Sequence, residues 1–393
     1  MKKIPDDIRK DIPLLEKYVY LDSTATGLTP RPVIEAMNSY YLEYRANIHR
    51  GVHKLSQEAS LAYEEAHRKV AKLLNAKEDE IVLTYGTTYS INAIALGLDF
   101  EKAGIEKVLV TEVEHHSNLI PWIRLAKLGK IKLEIVKTDK EGNIDLEDLA
   151  SKAKNSLIAT HHVSNVLGVI QPVEEISKIA REGNSLILLD AAQSVGHMPV
   201  DVKRLGIDFL AFSGHKGLLG PTGIGGLYIR EEVKSFVEPV MLGGGTVSDS
   251  DVKTLSYTLE EFPWSFEPGT PNIAGGIGLG AAVDYILSIG LDKIERYEEK
   301  LTRMTLDGLD ELGIEWYGPR EKAAVISFNV RNLDPHEVAG FLDMNGIAVR
   351  SGHHCASSLM KKLGVEGTVR ASYHCYNTKE EIEKMLDVLR ELV

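Results

Sequence analysis

Residues 186–216 read LILLDAAQSVGHMPVDVKRLGIDFLAFSGHK, and they set the fold class. Two short apolar runs, Leu186–Leu189 and Phe209–Phe212, each end at polar residues: Asp190 after the first, Ser213-Gly214-His215-Lys216 after the second. Apolar runs without polar alternation suit strands covered on both faces, as in a mostly parallel sheet between layers of helix. The pattern continues outward. Ile81–Leu83, Val108–Val110, Leu157–Ala159 and Leu227–Ile229 are equally short and apolar, bounded by Gly, Asn, Asp or Ser and separated by amphipathic stretches. The prediction is α/β, with a mostly parallel central sheet between helices.

Polar residues follow several of these runs: Gly86-Thr87-Thr88, His115-His116, Asn165, Asp190 with Gln193, and Lys216. Open α/β sheets bind ligands beyond the carboxyl ends of their strands, so these residues are expected to converge on one crevice. Beyond about Gly275 the rhythm changes to long amphipathic helices, roughly Ala281–Ile289 and Lys293–Leu312, then apolar runs Val325–Val330 and Ile347–Val349. A closing helix runs from Thr378 to about Leu392, with Asn377 and Glu380 resembling a capping box. The expected division is a large domain over 21–275, a smaller α+β domain over 276–393, and an N-terminal segment, 1–20, packing with the small domain. Gly243-Gly244-Gly245 and Ser248–Glu261 read as a loop or a hairpin.

Composition narrows the partners. With 393 residues, 44% hydrophobic, and a formal net charge of −12, the chain can bury a large core but lacks the excess of Lys and Arg that would coat nucleic acid or anionic membrane. Only Cys355 and Cys375 are present, too few for a disulfide framework, so a reducing cytoplasm fits best. The stretch from Met1 to Pro13 has no apolar signal segment, and no uncharged apolar run elsewhere reaches membrane length. Neither nucleic acid nor membrane is an expected partner.

The candidate chemistry centres on Asp190 and Lys216. A carboxylate ending a buried strand is costly unless it meets a cation, and a protonated pyridine nitrogen is one; the plainer reading is a carboxylate capping its own turn. A lysine after an apolar strand can be desolvated, which favours Schiff-base formation, although most lysines are simply solvated. Spacing favours the first reading: 26 residues separate the two, room for one connection and one strand. Gly86-Thr87-Thr88 opens an apolar-periodic helix, so its free N–H groups and hydroxyls suit a phosphate cup that Ser213 and His215 can complete; Thr is also an ordinary N-cap. His115 can stack on an aromatic ring and move protons, or be one more surface imidazole.

Together these segments resemble the class V aminotransferase-like, fold-type I pyridoxal-phosphate enzymes, and among them the SUF-type (group II) cysteine desulfurases, close to selenocysteine lyases. The resemblance runs almost end to end: Tyr20-Leu21-Asp22-Ser23, His49-Arg50-Gly51-Val52-His53, Gly86-Thr87-Thr88, Glu114-His115-His116, His162 to Gly168, Asp190-Ala191-Ala192-Gln193, Ser213-Gly214-His215-Lys216, Glu267 to Asn272, and Arg350-Ser351-Gly352-His353-His354-Cys355-Ala356. It implies pyridoxal 5′-phosphate bound to Lys216 as a Schiff base, Asp190 at the pyridine nitrogen, Gln193 near the ring phenolate, and His115 over the ring. Phosphate contacts are implied for Thr87, Thr88, Ser213 and His215, with Thr270 reaching in from the second subunit of a homodimer. Asn165 and Arg370, assisted by Arg350, would hold the carboxylate of L-cysteine, where a planar guanidinium binds in bidentate fashion. Cys355 would accept the substrate sulfur as a persulfide, release alanine, and hand the sulfur to an acceptor or scaffold protein for iron–sulfur or other cofactor assembly. Elsewhere a cysteine is usually a small buried hydrophobe, the reading given to Cys375.

Two departures stand out. The link Gly217-Leu218-Leu219-Gly220-Pro221 is one residue longer than usual in the family, and Tyr89 stands where relatives often carry an acid. The rival readings are a selenocysteine lyase, an aminotransferase on the same fold, and a metal-binding protein using His353, His354, Cys355, His374 and Cys375, whose spacing lacks the paired ligands of structural zinc sites. No metal is expected.

Overall fold

The computed structural model describes residues 2–393. Seven strands form the central sheet in the order Ile81–Thr84, Gly225–Ile229, Phe209–Ser213, Leu186–Asp190, Ser156–His161, Lys107–Thr111, Lys132–Val136. Six run in one direction and only Gly225–Ile229 is antiparallel to its neighbours, as the apolar runs predicted. Ser156–His161 and Phe209–Ser213 are buried at every position, which is why they lack alternation. The edge strand Lys132–Val136 was not legible: its sequence, KLEIV, is half-exposed and mixed in polarity. Gly225 and Gly226 have a steric reason. A Cβ on Gly226 would lie 2.3 Å from the Phe212 ring, and one on Gly225 would lie 2.7 Å from Gly86 Cα, pushing away the turn that begins the helix Thr87–Gly97.

Helices cover both faces. Lys54–Leu74 and Arg31–Glu43 pack with Ile273–Ile289 on one side. Trp122 and the apolar face of Thr87–Gly97 fill the other. The helix expected from Ala281 begins at Ile273, where Asn272 accepts the Gly275 N–H at 2.9 Å. Its glycines hid the start, since glycine is a poor helix former. They are there for closeness: a Cβ on Gly276 would meet the Tyr63 ring at 2.5 Å. This helix belongs to the core beside the large sheet, so the division expected at 275 precedes an element that packs with the larger unit. No single helix among the described residues is long and apolar enough to cross a membrane.

A second, antiparallel sheet follows in the order Glu315–Tyr317, Val325–Asn329, Thr368–Ser372, Arg350–Gly352. It shares a core with Leu291–Glu311, Pro335–Met344 and Lys379–Arg390. The N-terminal Val19–Tyr20 pairs in parallel with Ile347–Ala348, and Arg9 bridges to Glu381 at 2.7 Å. The last helix is capped by Thr378 and Glu381 rather than Asn377 and Glu380. Asn377 is occupied elsewhere, donating to Tyr20 O at 2.8 Å and accepting the His374 N–H at 2.9 Å. Val247–Asp251 and Ser256–Leu259 form an exposed hairpin.

Candidate active site

A cleft of about 110 Å³ at the carboxyl ends of the strands is lined by Thr87, Thr88, His115, Asn165, Asp190, Gln193, Ser213, His215 and Lys216. Nine residues singled out in the sequence thus meet in one place. His161 and Ser117 also line it and were missed. The signal for His161 was its place at the end of a buried strand, beside His162.

Lys216 follows the Phe209–Ser213 strand, half-buried, and burial pushes its amine down to about 8, against the pull of Asp190. Asp190 ends its strand 5% exposed, and burial raises its carboxyl pKa. One oxygen accepts the Ala192 N–H at 3.0 Å, so the turn-capping reading is satisfied too. That single bond leaves the carboxylate capacity for a further donor. His115 is pushed down to about 3, first by burial and next by the charge of Lys216. Its Nδ1 accepts the Ser117 N–H at 3.1 Å, which places the ring proton on Nε2. Below this loop the wholly buried Glu114 accepts from Thr111, Asn118 and His161, fixing the turn that carries His115.

Also lining the cleft, the helix Thr87–Gly97 begins after Gly86, whose φ of 125° suits glycine alone. Ser213 Oγ accepts the Thr87 N–H at 3.1 Å and lies 2.8 Å from Thr87 Oγ1; Thr88 Oγ1 lies 2.7 Å from Ser117 Oγ. His215 Nδ1 is 3.1 Å from Thr26 Oγ1, and Gln193 donates to Thr24 O at 3.1 Å. These residues fit pyridoxal phosphate: a desolvated amine, an incompletely bonded buried carboxylate, a helix N-terminus with hydroxyls and an imidazole line one cleft.

The substrate candidates sit beside the cleft. Arg370 is 2% exposed, donates to Asp22 Oδ1 and to Asn165 O at 3.0 Å each, and its Nε has no partner among the described residues. Burial brings its guanidinium down to about 10. Arg350 pairs opposite Arg370 in the second sheet but is exposed and outside the cleft. Cys355 is exposed, on a loop whose His354 O accepts from Asn165 Nδ2 at 2.7 Å. Asp22 was quoted in a motif without a role.

Thr270 lines a separate cleft of about 450 Å³ with Asn47, His49, Arg50 and Glu267, not the cleft of its own Lys216. Glu267, three residues before it, accepts from Tyr63 Oη, His67 Nε2 and the Leu83 N–H at 2.7, 2.7 and 2.8 Å.

The rival metal ligands are not gathered. His354 Nε2 lies 3.0 Å from Thr368 O, whereas His374 and Cys375 join His197 and Glu298 in the core. Within that buried group His197, Glu298 and His374 are the one metal-like trio among the described residues, and it is already hydrogen-bonded: His374 donates Nε2–H to Gly217 O at 2.8 Å and accepts the Cys375 N–H on Nδ1 at 2.7 Å. It supports the residue after Lys216 from below. In the next turn Leu219 takes φ 58°.

The class-V aminotransferase family matches residues 19–385. The chain is 56% identical to a probable cysteine desulfurase of Pyrococcus abyssi, over all of this chain and 98% of that one. It superposes on the apo cysteine desulfurase of Thermococcus onnurineus NA1 with a TM-score of 0.97 at 55% identity, covering 100% and 99% of the two chains. On the cysteine desulfurase CsdA of Escherichia coli the TM-score is 0.91 at 33% identity, again covering 100% and 99%.

Proposed function

Because this chain belongs to the class-V aminotransferase family and is a pyridoxal-phosphate-dependent cysteine desulfurase, we propose that Cys355 is the thiol that takes sulfur from L-cysteine and that Lys216 carries the cofactor. When bound, pyridoxal phosphate supplies an electron sink that labilises bonds to the substrate's α and β carbons. Asp190 holds the proton on the pyridine nitrogen, and Gln193 faces the ring oxygen. Thr87, Thr88, Ser213 and His215 bind the phosphate, with Thr270 of a second copy in a homodimer. Arg370 and Asn165 grip the substrate carboxylate, and the exposed Arg350 adds positive charge to that side. His115 covers the ring and moves a proton at Nε2. The Cys355 thiolate attacks the substrate sulfur: an S–S bond forms, the Cβ–S bond breaks with its electron pair going to carbon, and protonation there yields alanine. The persulfide then passes to an acceptor protein, in the cytoplasm, for iron–sulfur or related cofactor assembly.

The larger unit holds the cofactor and the smaller presents Cys355; Val19–Tyr20 ties to the smaller through its pairing with Ile347–Ala348, while Ile8, Ile12 and Leu15 pack in the core of the larger. One observation carries the reading of Cys355: an exposed cysteine whose neighbour His354 is bonded to Asn165 of the cleft. Mass spectrometry after incubation with L-cysteine should find one added sulfur on Cys355, and after borohydride reduction a pyridoxyl group on Lys216. Sulfur on Cys375, or none on protein, would overturn the assignment. Comparing turnover of selenocysteine and cysteine separates a selenocysteine lyase, and transamination surviving Cys355→Ala would mark an aminotransferase.

A further inference from the structure

The loop bearing Cys355 adopts a backbone that its residues disfavour. His354 and Cys355 have φ of 51° and 56°, in the left-handed region where side chains crowd the backbone. The helix that follows, Ser357–Leu363, starts after Ala356, whose methyl group cannot accept a hydrogen bond from the first turn. Left to itself such a loop has no strong reason to hold a thiol in one place.

The missing support comes from 241 residues away in sequence. His116 Nε2 accepts the Ser357 N–H at 3.2 Å and lies 3.0 Å from Ser357 Oγ, so an imidazole caps the helix that alanine leaves open. The His116 N–H donates to the Cys355 carbonyl at 2.8 Å. On the other side of the cysteine, Asn165 holds the His354 carbonyl. Three contacts therefore bracket Cys355, all from residues at strand ends of the cofactor sheet, and His116 makes two of them. His115, its neighbour, lines the cofactor cleft.

We propose that His116 is a positioning residue for the Cys355 thiol: it registers the loop against the same turn that places His115 over the cofactor, so that nucleophile and cofactor are aligned by one short segment. This rests on Cys355 being the sulfur acceptor. Among the described residues, no other side chain is recorded accepting an N–H from the first turn of that helix.

The test compares His116→Ala and His116→Gln in the cofactor-loaded enzyme. In a single turnover, His116→Ala should add sulfur to Cys355 about five-fold or more slowly, the effect of a lost helix cap. The visible spectrum and the cysteine concentration for half-saturation should not change. Alkylation of Cys355 by iodoacetamide without substrate should change rate by a similar factor. His116→Gln, whose side-chain carbonyl reaches the place of Nε2, should restore most of both rates. Wild-type transfer in the alanine variant, a loss explained by cofactor release or weaker cysteine binding, or failure of glutamine to rescue would each overturn the proposal. A Cys355→Ser control that still desulfurates at the wild-type rate would instead overturn the assignment of the thiol.

Discussion

Stripping the cofactor and adding it back between about pH 6 and 10 should give an attachment rate that rises with a midpoint near 8, not near the ordinary lysine value. Burial lowers Lys216 from 10.5 to about 8. At pH 7 an ordinary lysine is free amine about 0.03% of the time, and one at 8 roughly 9%, a gain of about 300-fold in nucleophile. The electrostatic partner gives the sign of a second measurement. Asp190 acts to raise Lys216, so Asp190→Asn should move the midpoint further down while weakening retention of the bound cofactor. Folding linkage points the same way. Between about 8 and 10.5 the unfolded chain holds more protons on this amine than the folded one, so stability of the stripped protein should gain about 3 kcal/mol from Lys216 as pH rises through that window. Absorbance in a stopped-flow mixer reads the rate, and thermal unfolding reads the stability. A midpoint above about 10, or an upward move in Asp190→Asn, would refute the view that burial activates this lysine.

Three other outcomes are expected. Cys355→Ser should keep the cofactor's visible band and bind L-cysteine, yet accumulate no protein-bound sulfur by mass spectrometry. Arg370→Lys keeps a charge but cannot serve both Asp22 and Asn165 O while offering a fork to a carboxylate; KM for cysteine should rise roughly ten-fold or more in steady-state kinetics, with kcat less affected. Glu298 is raised by burial to about 8, so the folded chain holds a proton there that the unfolded chain, with the ordinary 4.5, has lost; its contribution to stability falls as pH climbs from 4.5 through 8. Glu298→Gln cannot titrate, and its melting temperature should gain on the wild type's across that window.

Buried strands were legible because apolar side chains on both faces leave no alternation, and every such run became a strand of the large sheet. Lys132–Val136 escaped because an edge strand faces water and its residues are mixed. The beginning of the helix at Ile273 escaped because four glycines within eight residues signal turns in sequence, whereas two of them, Gly276 and Gly280, are required by tight contact with Lys54–Leu74. Cleft residues at strand ends were found from position, and the remainder of the site from resemblance. Glu114, His161 and His116 were not assigned roles: hydrogen bonds between segments far apart in sequence leave no periodic mark. Placing Cys375 as structural agrees with its complete burial next to His374.

Glu267 gives the edge of the sheet a reach beyond its own cleft. The strand Ile81–Thr84 leads into the helix whose first turn is the proposed phosphate end, and through Leu83 it also grips the carboxylate three residues before Thr270. A shift of that strand would be felt at both places together. In the proposed homodimer, where Thr270 serves the neighbouring cofactor, each protomer's edge strand becomes a strut common to two reaction centres, and loosening Glu267 in one protomer would first be noticed as poorer phosphate retention in the other.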